Sequence, residues 1–423
     1  MTRPLRLLFI GNAHSVHVRS FISYFARGGH DVSLVTPEQC LFDIPGVRVI
    51  NVAPLSAEAR LRRALREIGW IRKARLIPPR VRTEWRHRML PPSRILAEAS
   101  AQMERDNEEE RLRWNAAADV VAPVLDRMIA ATAPDIVQAL RFYPEGLIAA
   151  RSAHPRRSIF VWGSDISGYG TWYPEVGAAM RDALASCAGV LHDNAKDYRF
   201  ALEFGLPPST PHLMAPSNGG IDTTQAPPPA RPVGDEPSYA TYRRMGNLFM
   251  NNEPVVRAMA MLRARGIPAR YTMYGYQFGP YYDRLRALAG ELGVWRVLHF
   301  EPPFAPAQVR TAIDRHRLQV SPAIDDGTSA ALLETLWLGA VPIYSDVESI
   351  REWVVDGKNG YLFNLNDPAH VADRLERAFQ ERGDLQRLGT FSCSTTRSVR
   401  RAFSIMRANC CAQSPSARVS ARL

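Results

Sequence analysis

The chain has 423 residues, which at about 100–200 residues per domain predicts two or three domains. With 46% hydrophobic and 22% charged residues it reads as globular, which excludes disordered and fibrous classes, and the absence of any run of ~18 apolar residues argues against a membrane-spanning helix. Lys+Arg exceeds Asp+Glu by 53 to 42, a net +11, and all but three of the cations (Lys73, Lys196, Lys358) are arginines, so an anion gripped by a side chain is expected to meet Arg.

In chain order, Leu5–Ile10 is an apolar run of buried-strand length that ends at Gly11-Asn12. It leads into a polar loop and not a signal-peptide cleavage region. His17–Arg27 predicts a helix, with Val18, Phe21, Ile22 and Phe25 at helical spacing and Gly28-Gly29 as its stop. Asp31–Thr36 is the next strand. Strand, helix and strand in so short a span form a βαβ unit, and a parallel sheet is the default. Asp135–Leu140, Ser158–Trp162 and Gly189–His192 continue the strands. The rhythm is interrupted by helical sequence from about 61 to 114. Within it, Ala59–Arg94 holds twelve basic and two acidic residues, nearly the whole charge excess. Pro207–Pro237, rich in proline and short polar residues, predicts a linker.

After it the pattern resumes. Ala269–Tyr274, Val297–Phe300, Leu318–Ser321 and Ala340–Tyr344 read as strands, and Tyr282–Leu292, Ser329–Leu338 and Ala369–Glu381 as helices. Phe391–Leu423 carries six arginines and no acid and reads as one helix plus a disordered tail. The expected architecture is α/β, with two doubly wound Rossmann-like domains facing each other across a cleft: residues 1–225 with the basic insertion at about 60–94, residues 226–390, and an Arg-rich tail 391–423. Ligands of such sheets bind beyond the carboxyl ends of the strands. Five cysteines in no pattern (Cys40, Cys187, Cys393, Cys410, Cys411) suit a reducing cytoplasm, and no metal-ligand spacing is present.

The densest chemical signal runs from Ser321 to Glu334: a strand end, the acidic loop Asp325-Asp326-Gly327-Thr328, and a helix from about Ser329. Loop amides and a helix N-terminus suit an anion, and a carboxylate on the helix suits vicinal hydroxyls. Spacing alone also fits, and favours, an ordinary helix capped by Thr328 or Ser329 with a surface glutamate. Gly11 before a helix is either a phosphate loop or a tight turn. His14 and His17 flank the start of the first helix. Asp165, after Trp162-Gly163-Ser164, either accepts hydroxyls or caps a turn.

Asp326–x7–Glu334, then Gly339-Ala340-Val341-Pro342-Ile343, then Glu352-Trp353-Val354-x-Asp356-Gly357-x-Asn359-Gly360, resembles the donor half of the retaining glycosyltransferases of family 4. Ser15–Arg19 with Arg27–Val32, Trp162–Ile166 and Ser217–Asp222 resemble the opening unit, an acceptor-side loop and the hinge of that family. The resemblance implies the GT-B fold and sugar transfer from a nucleotide-sugar donor to a saccharide or lipid-linked hydroxyl acceptor with retention. The nucleotide sugar is a co-substrate, and no cofactor or metal is expected. Catalytic roles fall to Asp326, Glu334 and His17. Donor contacts fall to Gly11, Arg243, Arg244, Gly327, Thr328, Ser329 and Glu334, and acceptor-side contacts to His14, Trp162, Ser164 and Asp165.

Two departures stand out. Asp326 replaces the usual glutamate, and the early second domain offers Arg243 and Arg244 where an Arg and a Lys are usual, although Arg also grips phosphate well. They leave open a GT-B protein that binds a nucleotide sugar or a partner without turnover, or a nucleotide-sugar epimerase. The basic stretch reads as a solvated face or as an anionic-membrane patch. Nucleic acid is not expected, since no reading module accompanies the charge. The expected location is cytoplasmic, peripheral to the inner face of the plasma membrane, in bacterial surface glycan or glycolipid synthesis.

Overall fold

A computed structural model of the chain describes residues 3–37, 40–52, 121–162, 165–171, 174–217, 219–221, 234–242, 250–275, 280–301 and 308–381. The basic insertion at 60–94, Ser164, Arg243, Arg244 and the tail 391–423 lie outside the described residues.

The strands are β1 (Arg6–Ile10), β2 (Asp31–Thr36), β3 (Val47–Asn51), β4 (Ile136–Ala139), β5 (Arg157–Val161), β6 (Gly189–His192) and β7 (His212–Met214), and they make a sheet in the order β3-β2-β1-β4-β5-β6-β7. β8 (Ser238–Thr241), β9 (Arg270–Tyr274), β10 (Leu298–Glu301), β11 (Leu318–Ser321), β12 (Val341–Ser345) and β13 (Tyr361–Phe363) make a second, in the order β10-β9-β8-β11-β12-β13. Pairing is parallel in both. In each, the order reverses direction beside its first strand, next to β4 in one and β11 in the other. Such a reversal opens a crevice at the carboxyl ends of those strands.

The helices are α1 (Val16–Arg27), α2 (Leu147–Ala150), α3 (Pro174–Ser186), α4 (Ala195–Glu203), α5 (Glu253–Ala264), α6 (Pro280–Glu291), α7 (Val309–Arg315), α8 (Ala330–Trp337), α9 (Glu348–Arg351) and α10 (Pro368–Gln380), with a further helical stretch over 121–132. None among the described residues is long and apolar enough to cross a membrane. The chain divides into two compact units: Arg3–Phe160 with Ala179–Gly189, and Val161–Ala178 with Val190 onward.

In the first, α1 buries Val18, Phe21, Ile22 and Phe25, the stripe expected from its spacing. Phe21 packs at 6.3 Å from Phe9 on β1 and 5.3 Å from Phe160 on β5. The Ser15 hydroxyl caps the helix start, and Gly29 at φ +81° takes the left-handed turn that releases the chain into β2. In the second, the core joins Tyr239, Tyr271, Val320, Ile343 and Tyr361 of the sheet to Val255, Met259 and Leu262 of α5 and Val371 and Leu375 of α10. Its buried tyrosines keep partners: Tyr239 donates to the Leu375 carbonyl at 2.7 Å and Tyr271 to Asn252 Oδ1 at 2.7 Å.

The expected strands Asp31–Thr36, Gly189–His192 and Leu318–Ser321 are observed without shift. The linker reading over 207–237 needs correction at His212–Met214, which forms β7. Backbone pairing with β6 (Val190 to His212, His192 to Met214) overrides the local proline-rich composition.

Candidate functional site

β11 delivers the chain to the acidic loop at the order reversal of the second sheet. Ser345 Oγ donates to the Ala323 carbonyl at 2.6 Å, and Asn251 N–H donates to the Pro322 carbonyl at 2.9 Å, so the loop leaves from a fixed base. Asp325 and Asp326 then fold onto their own backbone: Asp325 Oδ1 accepts from Asp326 N–H and Asp326 Oδ1 from Gly327 N–H, each at 2.9 Å. Ser329 occupies the cap position of α8 in extended conformation, and its side chain makes no capping hydrogen bond. The first turn of α8 presents backbone N–H groups and the positive end of the helix dipole. Glu334 sits half-buried on the same helix.

The loop is held from below by the turn that follows β6. Asp193, fully enclosed, accepts from Thr328 N–H at 2.5 Å through one carboxylate oxygen and from Ser217 N–H at 2.7 Å through the other. Its carbonyl accepts from Thr328 Oγ1 at 2.7 Å. Burial pushes the Asp193 carboxyl up to about 7, against the pull of those two N–H groups and with a further push from the Asp326 charge. Three residues on, the buried Lys196 ammonium pairs with Asp325 and donates to the Asp326 carbonyl at 3.0 Å. That carbonyl also accepts from Ser349 Oγ at 2.7 Å, and Asp325 accepts from Ser167 Oγ at 3.3 Å. Glu352 accepts from Ala195 N–H at 2.9 Å, and half-burial raises its carboxyl above the ordinary value.

The expected site residues divide as follows. Asp326, Gly327, Thr328, Ser329 and Glu334 share this loop and helix, but the Gly327 and Thr328 amides serve the loop and Asp193. Trp162 and Asp165 belong to the same compact unit. Asp165 is buried, with its N–H on the Trp162 carbonyl at 2.9 Å. Gly11, His14 and His17 belong to the other unit. Gly11 is set by packing, since an added Cβ would lie 3.3 Å from both Leu140 Cβ and Val18 Cγ1. His14 and His17 are exposed at the start of α1, and the His14 ring stands edge-on to Phe42 at 5.4 Å. The Glu352–Gly360 segment is a turn closed from within: buried Asn359 accepts from Val355 N–H at 2.7 Å and donates to the Trp353 carbonyl at 2.8 Å.

Asp193, Lys196 and Ser349 were not singled out from the sequence. The scarcity of lysine was the available signal: one of three such residues falls in a first helical turn, two positions after an Asn cap, and it is buried.

Part of the chain resembles known proteins in sequence, and the whole of it resembles solved structures in fold. Residues 245–392, which include the acidic loop and α8, match the family model described as glycosyl transferases group 1. A D-inositol 3-phosphate glycosyltransferase of Streptomyces bingchenggensis is 30% identical over 108 residues, 26% of this chain and 24% of that protein. The putative colanic acid biosynthesis glycosyltransferase WcaL of Escherichia coli is 29% identical over 175 residues, 38% of this chain and 41% of that protein. The chain thus spans about a quarter of the first relative and well under half of the second. Among solved structures, the sucrose-phosphate synthase of Thermosynechococcus elongatus superposes with TM-score 0.69 at 13% identity, covering 96% of this chain and 98% of that one. Anabaena HepE in complex with UDP and glucose gives 0.66 at 11% identity, covering 96% and 99%. Likeness at such identity speaks to the fold alone, and that fold is GT-B, with two Rossmann-like parallel sheets. The chain thus has the GT-B fold, and its residues 245–392 match the glycosyl transferases group 1 model.

Proposed function

We propose that the chain moves a sugar from a nucleotide-sugar donor to a hydroxyl acceptor, with retention and without a metal ion. The observation that carries this reading is the Asp325–Glu334 loop and helix, whose cap residue Ser329 makes no side-chain capping bond, at the strand-order reversal of the second sheet. Glu334 takes the vicinal hydroxyls of the ribose and Asp326 a hydroxyl of the donor sugar. The open amides of α8, with Arg243 and Arg244, face the diphosphate. As the anomeric carbon–phosphate oxygen bond breaks, that oxygen takes the acceptor's proton and the new glycosidic bond forms on the same face. The protein supplies position and charge and forms no covalent intermediate. His14, His17, Trp162, Ser164 and Asp165 are assigned to the acceptor side or its approach, and Gly11 to the donor contacts.

The HepE structure, solved with UDP and glucose, makes uridine diphosphate sugars the first donors to try. The WcaL relative supports a role in surface glycan or glycolipid synthesis, with a saccharide or lipid-linked acceptor. The basic stretch at 60–94 supports a cytoplasmic location at the inner face of the membrane. Glu334→Gln tests the assignment. Loss of charge-assisted hydrogen bonds of ~1.5–3 kcal/mol predicts roughly 10- to 150-fold weaker donor binding, with donor hydrolysis falling in step and parent turnover surviving EDTA. Unchanged binding and hydrolysis would refute the assignment. A second reading, donor binding without turnover, is favoured by the engagement of the Gly327 and Thr328 amides inside the protein. Binding without hydrolysis or transfer to any acceptor extract would select it.

A further inference from the structure

The turn Asp193–Lys196 reaches the acidic loop by four separate contacts and carries a buried lysine in a chain that has only three. Lys196 has a side chain 7% exposed, and its partner Asp325 is 30% exposed. The ammonium pairs with Asp325 and donates to the Asp326 carbonyl, two acceptors on consecutive residues. Asp193 grips Thr328 through N–H to carboxylate and hydroxyl to carbonyl. Asp326 is thus held at its own carbonyl, and only Gly327 separates it from the second grip at Thr328. The direction in which Asp326 presents its carboxylate is therefore set from both sides, by side chains of a turn 129 to 135 residues earlier in the chain. The turn is itself braced. Ser217 N–H meets Asp193, Glu352 accepts from Ala195 N–H, and Arg199 on α4 pairs with Glu348 on α9.

The point charge of Lys196 suits this task better than a guanidinium. Its tetrahedral donors can address a carboxylate and a neighbouring carbonyl at once, where a planar fork would favour a single carboxylate. In addition, a buried ammonium so placed is costly unless both acceptors stay in position, which makes the loop conformation sharply defined.

We propose that Asp193 and Lys196 are positioning residues for the donor loop: they fix residues 325–328 so that Asp326 and the start of α8 meet the donor, and they do not touch its reacting atoms. This rests on the reading of the loop as a nucleotide-sugar site.

The test compares the parent chain with Lys196→Met, Lys196→Arg, Asp325→Asn and the Lys196→Met/Asp325→Asn double variant. Calorimetry with UDP-glucose and other nucleotide sugars gives donor affinity, steady-state hydrolysis gives KM and kcat separately, and denaturant unfolding monitors the fold. Lys196→Met should weaken donor binding by about tenfold or more, chiefly through KM, while the unfolding transition stays cooperative. Lys196→Arg should fall between Lys196→Met and the parent. The double variant should bind no worse than Lys196→Met, because the two side chains act as one unit. If Lys196→Met fails to fold, Asp325→Asn alone should still weaken donor binding severalfold. Parent-like donor affinity in a folded Lys196→Met, or additive losses in the double variant, would overturn the inference. Failure of the parent chain to bind any nucleotide sugar would instead refute the donor-site reading on which it rests.

Discussion

Asn359→Asp replaces one atom in a side chain that is 1% exposed. Asn359 accepts from Val355 N–H at 2.7 Å and donates to the Trp353 carbonyl at 2.8 Å, closing the turn that carries the chain from α9 into β13. In the variant the acceptor bond survives, but the donor becomes a second oxygen facing a carbonyl. A lost hydrogen bond that strands a buried acceptor costs about 1–3 kcal/mol. An ionised carboxylate beside a carbonyl at this depth adds more, so the new group is expected to hold a proton and donate it to Trp353 at low pH. The folded state of the variant then has a raised carboxyl, and its stability falls as pH rises through that value. Urea unfolding at pH 5 and pH 8 measures this. The expected deficit relative to the parent is about 1 kcal/mol at pH 5 and about 3 kcal/mol or more at pH 8. A deficit below ~0.5 kcal/mol at both values would show that Asn359 does not brace this turn.

Asp193 is raised from 3.8 to about 7, so between those values the folded chain keeps a proton that the unfolded chain has released. Its contribution to stability therefore falls as pH climbs from about 4 to about 7, by an amount on the order of 4 kcal/mol at most. Asp193→Asn should flatten that part of the stability–pH curve, and an unchanged slope would contradict the assignment. Gly360→Ala would place a Cβ 2.6 Å from Pro342 Cγ and 2.7 Å from its carbonyl oxygen, so a loss of about 1–3 kcal/mol is expected in thermal or urea unfolding. Neutral behaviour would mean that β12 yields more easily than its burial suggests. Changing Arg62, Arg63, Arg66, Arg72 and Arg75 to Gln should reduce co-sedimentation with anionic vesicles and leave the weak background on neutral vesicles unchanged. Equal binding of parent and variant to anionic vesicles would leave the basic stretch a solvated face.

The fold was largely legible because its central strands are short apolar runs. Asp31–Thr36 and Leu318–Ser321 are enclosed almost throughout, and such runs announce themselves. Four strands escaped notice: Ser238–Thr241 is buried at three of its four positions, but its Ser-Tyr-Ala-Thr sequence is no apolar run, and the other three lack a buried run of that length. Val47–Asn51 lies at a sheet edge with every residue at least partly exposed, and His212–Met214 and Tyr361–Phe363 have three residues each. The site shows the same division. Asp326, Gly327, Thr328, Ser329 and Glu334 are close in sequence, so their motif could be read directly. Asp193 and Lys196 reach the loop across 135 and 129 residues, and no local pattern marks so distant a contact. Arg in the donor role was expected from composition, yet the buried cation at the loop is one of three lysines. The Asn-Gly turn was read with the donor half, and its visible work is to close the chain upon itself.

The central claim is that the Asp325–Glu334 loop and helix bind a nucleotide sugar. The most direct measurement is calorimetric titration of the full chain with UDP-glucose, UDP-N-acetylglucosamine and GDP-mannose, each repeated with Glu334→Gln. The account predicts saturable one-site binding of at least one donor by the parent and a loss of roughly tenfold or more in the variant. Absence of binding by any nucleotide sugar, or equal binding by parent and variant, would contradict it.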